Sequence, residues 1–318
     1  MTPLLLMWLT VTASSSSSSS SSLPSAASSS TAAVEPLAPP PATAALTLHT
    51  DAPPVAVTSA TPIGLNLDWW ANNATNNENV TGLWDDASLL AIDLRNPRLK
   101  AAVRAFGGGA VIRMGGTLGD EIGYDVGEGP VHNCPTPHAA RDGNVSYCLS
   151  MARWDELHGW CAEAGCRIAF GLNALYGRAG NPRHSFNVSG PWDATNAAAL
   201  LEYTAKRGYS RDTTLFGFEL GNELQDDLPA PVLAAQYRKL SGMIDRLWPN
   251  VTARPWIIGP DENPDGKWLH EFLQASGGVV RAVTYHQYSG FGGDANLSAQ
   301  LLTPVRKRLF CDKMPFYA

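Results

Sequence analysis

The chain has 318 residues and a formal charge of −6, with 23 lysines and arginines against 29 aspartates and glutamates. Its longest basic run is the short Arg306-Lys307-Arg308, which argues against a surface dedicated to nucleic acid or to a strongly charged polyanion. The cysteine and histidine spacings do not resemble a zinc site, and nothing in the sequence suggests an organic cofactor.

The first 45 residues differ in composition from the rest of the chain. Residues 1–12 contain an apolar segment far shorter than the ~20 residues of a transmembrane helix, and they predict a signal-peptide core. A truncated or misassigned start is the alternative. Residues 13–45 are rich in serine, alanine and proline and predict a disordered linker. Residues 46–318 remain for one large α/β domain.

Cysteines and sequons favour a secretory route. Cys134 and Cys148 bracket a polar loop and can pair in an oxidising compartment, whereas Cys161 and Cys166 are interpreted as core thiols. Six Asn-X-Ser/Thr sequons lie at Asn73, Asn79, Asn144, Asn187, Asn250 and Asn296. With the leader, they predict a glycoprotein that is secreted or held in a lysosome- or vacuole-type lumen. Membrane association through an uncleaved leader is left open.

Apolar strands and amphipathic helices alternate from the first predicted strand, at residues 63–68. Two tryptophans follow that strand and suit either a sugar-binding mouth or the core. Asn96 predicts a helix N-cap, with proline at the first helical position. Arg113 lies within the next apolar strand; a buried charge needs a partner, and Glu219 in a later strand is the candidate. A long polar loop is expected at 118–149.

The remaining elements repeat the same order. Strands are expected at 110–114, 167–173, 214–223, 255–259 and 279–285, and helices at 150–164, 194–207, 231–247, 266–275 and 298–310. This alternation implies parallel strands with crossover helices. Polar groups stand at nearly every strand end, so we predict an α/β fold of the (β/α)8 TIM-barrel type, truncated after about six β/α units. A doubly wound sheet is the alternative, and it would gather such groups at one switch point.

The strand at 214–223 carries the clearest functional signal. It is an apolar and aromatic run that ends in Gly-Asn-Glu. A glutamate at the carboxyl end of a barrel strand stands where this architecture places its chemistry, and Asn222 lies beside Glu223. The alternative is an ordinary barrel strand with an exposed glutamate at its end.

With these motifs, the chain resembles the heparanase-like glycoside hydrolases of family 79 over residues 62–310. The strings that carry the resemblance are Arg-Met-Gly-Gly-Thr at 113–117, Phe-Gly-Leu-Asn-Ala-Leu at 170–175, Glu-Leu-Gly-Asn-Glu at 219–223, Gly-Pro-Asp at 259–261 and Thr-Tyr-His-Gln-Tyr at 284–288. The resemblance implies a retaining β-glucuronidase-type enzyme without a metal or organic cofactor. The implied partner is a polysaccharide, a proteoglycan glycan or a small glucuronide; no nucleic acid and no dedicated protein partner are expected.

The resemblance also implies roles for individual residues. Glu223 would be the general acid/base, with a pKa raised before glycosylation, and Asn222 would hold the hydroxyl next to the reacting carbon. The implied substrate-binding residues are Asp68, Thr117, Asn173, His286 and Tyr288. For His286, a hydrogen bond to the second catalytic carboxylate is an equal alternative to direct contact with the sugar.

Two departures from the family pattern bear on function. A retaining enzyme needs a second carboxylate roughly 5 Å from the first. The family places it on a seventh strand, before which this sequence ends; Glu262 and Glu271 are assigned to the loop and helix after the fifth strand and do not replace it. The basic clusters of heparan-cleaving members are missing too, with Lys267 the single cation after Gly-Pro-Asp.

Three hypotheses therefore stay open. The first is a glycosidase for a less charged glucuronide, of which this chain is an incomplete portion. The second is a catalytically inactive remnant that binds glycans. The third is a hydrolase of the same clan that acts on neutral polysaccharide.

Overall fold

The computed structural model describes residues 4–5, 64–69, 88–129, 131, 147–179, 188–262 and 266–286. The predicted signal peptide (apart from residues 4–5), the linker at 13–45 and the last predicted helix lie outside these residues. Trp70 and Tyr288 lie outside them as well, as do all the sequon asparagines except Asn250.

A parallel sheet forms the centre of the fold. Its strands lie in the order β2 (Gly64–Asp68), β3 (Ala110–Gly115), β6 (Cys166–Leu172), β7 (Leu215–Leu220), β8 (Trp256–Glu262) and β9 (Ala282–Tyr285). Every neighbouring pair is parallel, which confirms the predicted α/β class. A two-residue strand, β1 (Leu4–Leu5), pairs with β9. The sheet corresponds to part of a (β/α)8 barrel.

In the described part of the chain, helices connect these strands: α1 (Pro97–Arg104), α2 (Met151–Ala164), α3 (Thr195–Lys206), α4 (Ala230–Leu247) and α5 (Gly266–Ser276). Local sequence signals set their ends. Asn96 caps α1 as predicted, because its side-chain oxygen accepts from the backbone N–H of Arg98 at 3.0 Å. Gly165 ends α2 in the left-handed region, at φ 74°. None of the described helices is long and apolar enough to cross a membrane.

The two faces of the sheet bury different side chains. Towards the helices, the ring of Phe170 packs against Trp69, Trp154 and Phe218 at centroid distances of 5.7, 4.6 and 6.5 Å. The opposite face carries a separate small cluster of Val111, Ala169, Phe216, Ile258 and Ala282. Trp69 is fully buried, so it belongs to the core and not to a sugar-binding mouth.

The region 118–149 differs from the polar loop expected there. A 3-10 helix (Thr117–Glu121) is followed by β4 (Ile122–Asp125), which pairs in parallel with β5 (Tyr147–Ser150). The side chain of Asn196 fixes β4 by bonding both the N–H and the carbonyl of Tyr124, at 2.9 and 2.8 Å. Four-residue strands separated by a polar stretch carry too little periodicity to be read from sequence.

The cysteines also differ from expectation. Cys161, in the last turn of α2, forms a disulfide with Cys166, the first residue of β6, with their Cα atoms 4.7 Å apart. The core-thiol interpretation was therefore wrong: the short connection through Gly165 brings the two sulfurs together. Cys148 is disulfide-bonded too, and its predicted partner, Cys134, lies outside the described residues.

Candidate active site

The carboxyl ends of the parallel strands bring several predicted site residues to one edge of the sheet. Asp68 ends β2, Thr117 follows β3, Glu223 follows β7 and His286 follows β9. Asp68 is half-buried and Thr117 is exposed. Because all these strands run in the same direction, the side chains share one end of the sheet, as the barrel prediction requires.

Arg113, on the inner face of β3, organises the polar groups below this edge. It is only 2% exposed. Its Nε donates to Glu219 at 2.8 Å, and its terminal nitrogens donate to the side-chain oxygens of Asn66 and Asn222, each at 2.8 Å. It also forms an ion pair with Asp261. The predicted pairing of Arg113 with Glu219 is confirmed, and two buried carboxylates share one guanidinium.

Asn222 is held from two sides. Its backbone N–H donates to Asp120 at 2.9 Å, and its side-chain oxygen accepts from Arg113. Among the described residues, these contacts leave the NH₂ group of the Asn222 amide without a partner. An amide held this way presents a fixed donor to a hydroxyl oxygen.

Asp120 is a positioning residue that sequence analysis missed. It is 3% exposed, and its other carboxylate oxygen accepts from the backbone N–H of Ala174 at 2.7 Å. One carboxylate thus ties the segment after β6 to the segment after β7. Burial raises the pKa of Asp120 to about 7, although the two backbone N–H donors act in the opposite direction. Its only signal in the sequence is an acidic residue three positions after the Gly-Gly-Thr string.

Glu223 follows a tight backbone turn. Gly221 has φ 85° and Glu223 itself has φ 53°, a conformation uncommon for a residue with a side chain. The turn is held by the N–H of Glu223, which donates to the carbonyl of Asp261 at 3.1 Å. Residues held in such conformations cluster at functional sites.

The Glu223 carboxyl group lies against His286. Its Oε1 is 2.6 Å from Nδ1 of the imidazole, and the side chain is 31% exposed. Burial raises the pKa of Glu223, but the hydrogen bond and charge of His286, together with the charge of Arg113, outweigh burial and hold the pKa below its ordinary value. The pKa of Glu223 is therefore lowered among the described residues, and not raised as expected for the acid/base.

His286 connects two carboxylates. Its Nε2 lies 3.0 Å from Oδ1 of Asp261, which is fully buried and has φ 65°. A continuous polar chain results, from Glu223 through His286 and Asp261 to Arg113. In the described part of the chain, His286 thus contacts the predicted acid/base rather than a second catalytic carboxylate.

Glu262 is the last residue of β8, and not part of the following loop as predicted. Its carboxylate accepts from the backbone N–H groups of Leu224 at 2.6 Å and Gln225 at 3.0 Å. Burial raises its pKa to about 8, against the effect of those two donors. Glu262 therefore fixes the segment that follows Glu223, and its engaged, buried carboxylate does not replace a nucleophile.

Asn173 does not fit its predicted substrate-binding role. It is 1% exposed; its amide nitrogen donates to the carbonyl of Ile122 at 3.1 Å, and its amide oxygen accepts from the N–H of Leu175 at 2.8 Å. Asn173 joins β4 to the end of β6 and stabilises the fold. Tyr288 lies outside the described residues, so its role stays a prediction.

A parallel α/β sheet with an Asn-Glu pair at its carboxyl edge has the arrangement of a barrel glycoside hydrolase. The chain belongs to glycosyl hydrolase family 79: residues 44–312 match the family signature described as "Glycosyl hydrolase family 79, N-terminal domain". The resemblance inferred from the sequence is thereby confirmed.

Named relatives agree with this family. Heparanase-like protein 3 of Arabidopsis thaliana is 34% identical over 249 residues, covering 75% of this chain and 44% of that protein. Baicalin-beta-D-glucuronidase of Scutellaria baicalensis is 30% identical over 268 residues, covering 79% and 50%. This chain thus spans about half the length of these curated relatives.

A family 39 β-xylosidase from Caulobacter crescentus superimposes with a TM-score of 0.39 at 17% identity, over 77% of this chain and 51% of that one.

Proposed function

We propose that this chain forms the acid/base half of a retaining β-glucuronidase-type active site. Glu223 is the general acid/base, and Asn222 contacts the hydroxyl beside the reacting carbon. The observation that carries the proposal is the pair of held side chains at the sheet edge. Arg113 and Asp120 fix Asn222, while Nδ1 of His286 contacts Oε1 of Glu223 at 2.6 Å.

We infer different tasks for the two oxygens of Glu223. Oε1 faces His286, so Oε2 is the oxygen that carries the proton to the leaving glycosidic oxygen. After the leaving group departs, the same oxygen removes a proton from the incoming water. The NH₂ group of Asn222 donates to the neighbouring sugar hydroxyl, a contact that strengthens as positive charge develops on the ring.

The lowered pKa of Glu223 has a direct consequence for this proposal. A general acid must be protonated before the glycosidic bond breaks. A second, ionised carboxylate about 5 Å away favours the proton on Glu223, and a retaining enzyme needs that same carboxylate as its nucleophile. Asp261 and Glu262 are both engaged in the fold. We therefore propose that the nucleophile lies outside the described residues.

For the substrate, we propose a glucuronide of low charge, either a small conjugate or a glycan. The relative named baicalin-beta-D-glucuronidase supports a small conjugate, and the heparanase-like relatives support a glycan. At the described strand ends, the buried cation Arg113 is already engaged with Glu219, Asn222 and Asp261. A sulfated polyanion needs several free cations, and Lys267 is the single cation just after Gly-Pro-Asp.

The test is hydrolysis by the complete protein of an aryl β-glucuronide whose leaving phenol has a high pKa, and of the matching β-glucoside. We expect the glucuronide to be cleaved with retained configuration, and Glu223→Gln to lose about 10²–10⁴-fold in kcat/KM. Glu271→Gln is the matched control, because Glu271 is exposed on α5, and it should keep full activity. Equal cleavage of the glucoside would favour a hydrolase of neutral polysaccharide. Binding without turnover would favour the glycan-binding remnant.

We also propose that the protein matures in an oxidising, secretory-type lumen. The Cys161–Cys166 disulfide supports this, as does the exposed sequon at Asn250. Treating the secreted protein with a peptide:N-glycosidase should lower its mass, and Asn250→Gln should remove one glycan. A mass unchanged by the enzyme would contradict the proposal.

A further inference from the structure

A second polar site lies at the opposite end of the sheet from Glu223. A cavity of about 310 Å³ opens beside the first residue of β8, Trp256, and beside Arg281, which directly precedes β9. Arg211, in the connection before β7, also lines it. Because parallel strands begin at this end, the cavity is at the amino edge, away from the candidate active site.

Two arginines at this edge are stacked on aromatic rings rather than paired with acids. Arg211 lies over the ring of Trp256 at 4.4 Å, and Arg167 lies over the ring of Phe216 at 5.0 Å. Within the described residues, neither guanidinium has a carboxylate partner, and neither does that of Arg281. The Nε atom of Arg211 is buried without a hydrogen-bond partner. The charge of a guanidinium group above an aromatic ring interacts with the ring face, while its N–H groups remain available as hydrogen-bond donors.

The third arginine that lines the cavity shows the contrast. Arg254 donates to the carbonyl of Trp248 at 2.8 Å and pairs with Asp245 at 2.5 Å. Asp245, the acidic residue that lines the cavity, is therefore already neutralised. The arginines without a carboxylate partner, Arg167, Arg211 and Arg281, give the described part of this edge a net positive charge.

Burial and mutual repulsion make this arrangement costly without a ligand. Desolvation lowers the pKa of Arg211, and the charges of Arg167 and Arg281 lower it further, with Asp212 opposing them. Unpaired N–H donors on partly desolvated cations are unfavourable. An oxyanion placed between them would satisfy the donors and offset the repulsion, since guanidinium groups bind such anions through charge-assisted hydrogen bonds.

We propose that the cavity is an anion site for a single sulfate- or phosphate-type group, bound by Arg211 and Arg281. Its volume is about 310 Å³, which also admits a small molecule that carries the group. The proposal does not depend on the glycosidase assignment, because none of these residues belongs to the machinery around Glu223.

The test is isothermal titration of the complete protein with inorganic sulfate, inorganic phosphate and glycerol 3-phosphate, with sodium chloride at matched ionic strength as the blank. We expect saturable binding of the oxyanions and none of chloride. Arg211→Gln and Arg281→Gln should each weaken binding about tenfold or more, since each removes a charge-assisted contact. Arg281→Gln keeps the test decisive if Arg211→Gln fails to fold, because Arg281 is exposed.

Arg95→Gln is the control, since Arg95 is paired with Asp93 and its side chain is 88% exposed. It should bind as the wild type does. Binding of glycerol 3-phosphate as tightly as phosphate would show that the site accepts a group carried on a larger molecule, whereas binding of the inorganic ions alone would mark it as a free-ion site. No binding above chloride, or binding unchanged in both arginine variants, would overturn the proposal.

Discussion

At the scale of single residues, the site depends on buried charges that satisfy one another. Arg113 compensates Glu219 and Asp261, and it fixes the side chain of Asn222. Its planar guanidinium presents five N–H donors in a fixed fork, a geometry that the compact ammonium group of lysine lacks. The same cation therefore serves both the stability of the sheet and the orientation of the proposed catalytic pair.

Replacing Arg113 tests this dual role. Arg113→Met leaves two buried carboxylates without a counter-charge, so we expect a loss of about 3–5 kcal/mol in the free energy of unfolding. Arg113→Lys should lose less, because the charge is kept. Urea unfolding measures both. Arg95→Met, at an exposed pair, should leave the free energy of unfolding almost unchanged. Equal effects at the two positions would contradict the account.

His286 is expected to set the pH dependence of the reaction. The hydrogen bond and charge of His286 lower the pKa of Glu223, so His286→Ala should raise it. A general acid with a higher pKa keeps its proton to higher pH, and the alkaline limb of kcat/KM should therefore move upwards. His270→Ala, at an exposed position on α5, should leave the profile unchanged. A limb that stays in place or moves to lower pH in His286→Ala would refute the contact.

At the scale of elements, the segments after the strands hold the site in place. Gly116, directly after β3, has φ 105°, and a Cβ atom there would collide with the carboxylate of Asp68. The predicted sugar-site carboxylate thus packs against bare backbone. Gly107, after α1, has φ 86° but would have no atom within 4 Å of an added Cβ. Both glycines have a positive φ, but only at Gly116 would an added Cβ atom meet another side chain.

This pair allows a matched comparison. Gly116→Ala and Gly107→Ala should both lose stability because each places a side chain at a positive φ, and the loss should be larger at Gly116, where ψ is 176° and the conformation is essentially restricted to glycine. Only Gly116→Ala should displace Asp68, and we expect it to raise KM for an aryl glucuronide about tenfold, the loss of one good polar contact. Steady-state kinetics measure the difference. Equal KM values for the two variants would argue that Asp68 does not contact the substrate.

At the scale of the whole molecule, two buried carboxyl groups control stability against pH. Burial raises the pKa of Asp120 from 3.8 to about 7 and that of Glu262 from 4.5 to about 8. The folded protein therefore holds protons that the unfolded chain releases, and stability is lost as pH rises through this interval. Below about pH 6.5 the buried His158, whose pKa burial lowers to about 3, acts in the opposite direction, so we expect the Tm to fall by several degrees between about pH 6.5 and pH 8.

Variants identify the groups responsible. Asp120→Asn and Glu262→Gln cannot ionise at those positions, so each should flatten the decline in Tm. Asp212→Asn, at an exposed aspartate before β7, should leave the slope as in the wild type. A wild-type Tm that rises from pH 6.5 to pH 8 would contradict the assignment of both carboxyls.

Much of the sheet could be predicted from the sequence because its signals are local. Apolar runs marked the six longer strands of the main sheet, and the Asn96 cap marked the start of α1. The partner of Arg113 followed from the cost of an unpaired buried charge. The parallel direction of the strands then placed Glu223 and His286 at one edge.

The features of the site that could not be predicted from the sequence depend on contacts between distant segments of the chain. The role of Asp120 needs the backbone of Ala174 and Asn222, far along the chain, to converge on one carboxylate. Asn173 lies at a strand end, where binding residues are expected, yet its amide group donates to the carbonyl of Ile122 in β4. The pKa of Glu223 depends on how closely His286 approaches, which no spacing along the chain reveals.

The most direct test of the central claim is the leaving-group dependence of Glu223→Gln. A series of aryl β-glucuronides with leaving groups of increasing pKa would be assayed with the complete wild-type and variant proteins. If Glu223 protonates the glycosidic oxygen, the variant should lose about 10²–10⁴-fold on the most basic leaving groups and little on the most acidic ones in the step that breaks the glycosidic bond. A loss of the same size across the whole series would contradict its role as the general acid.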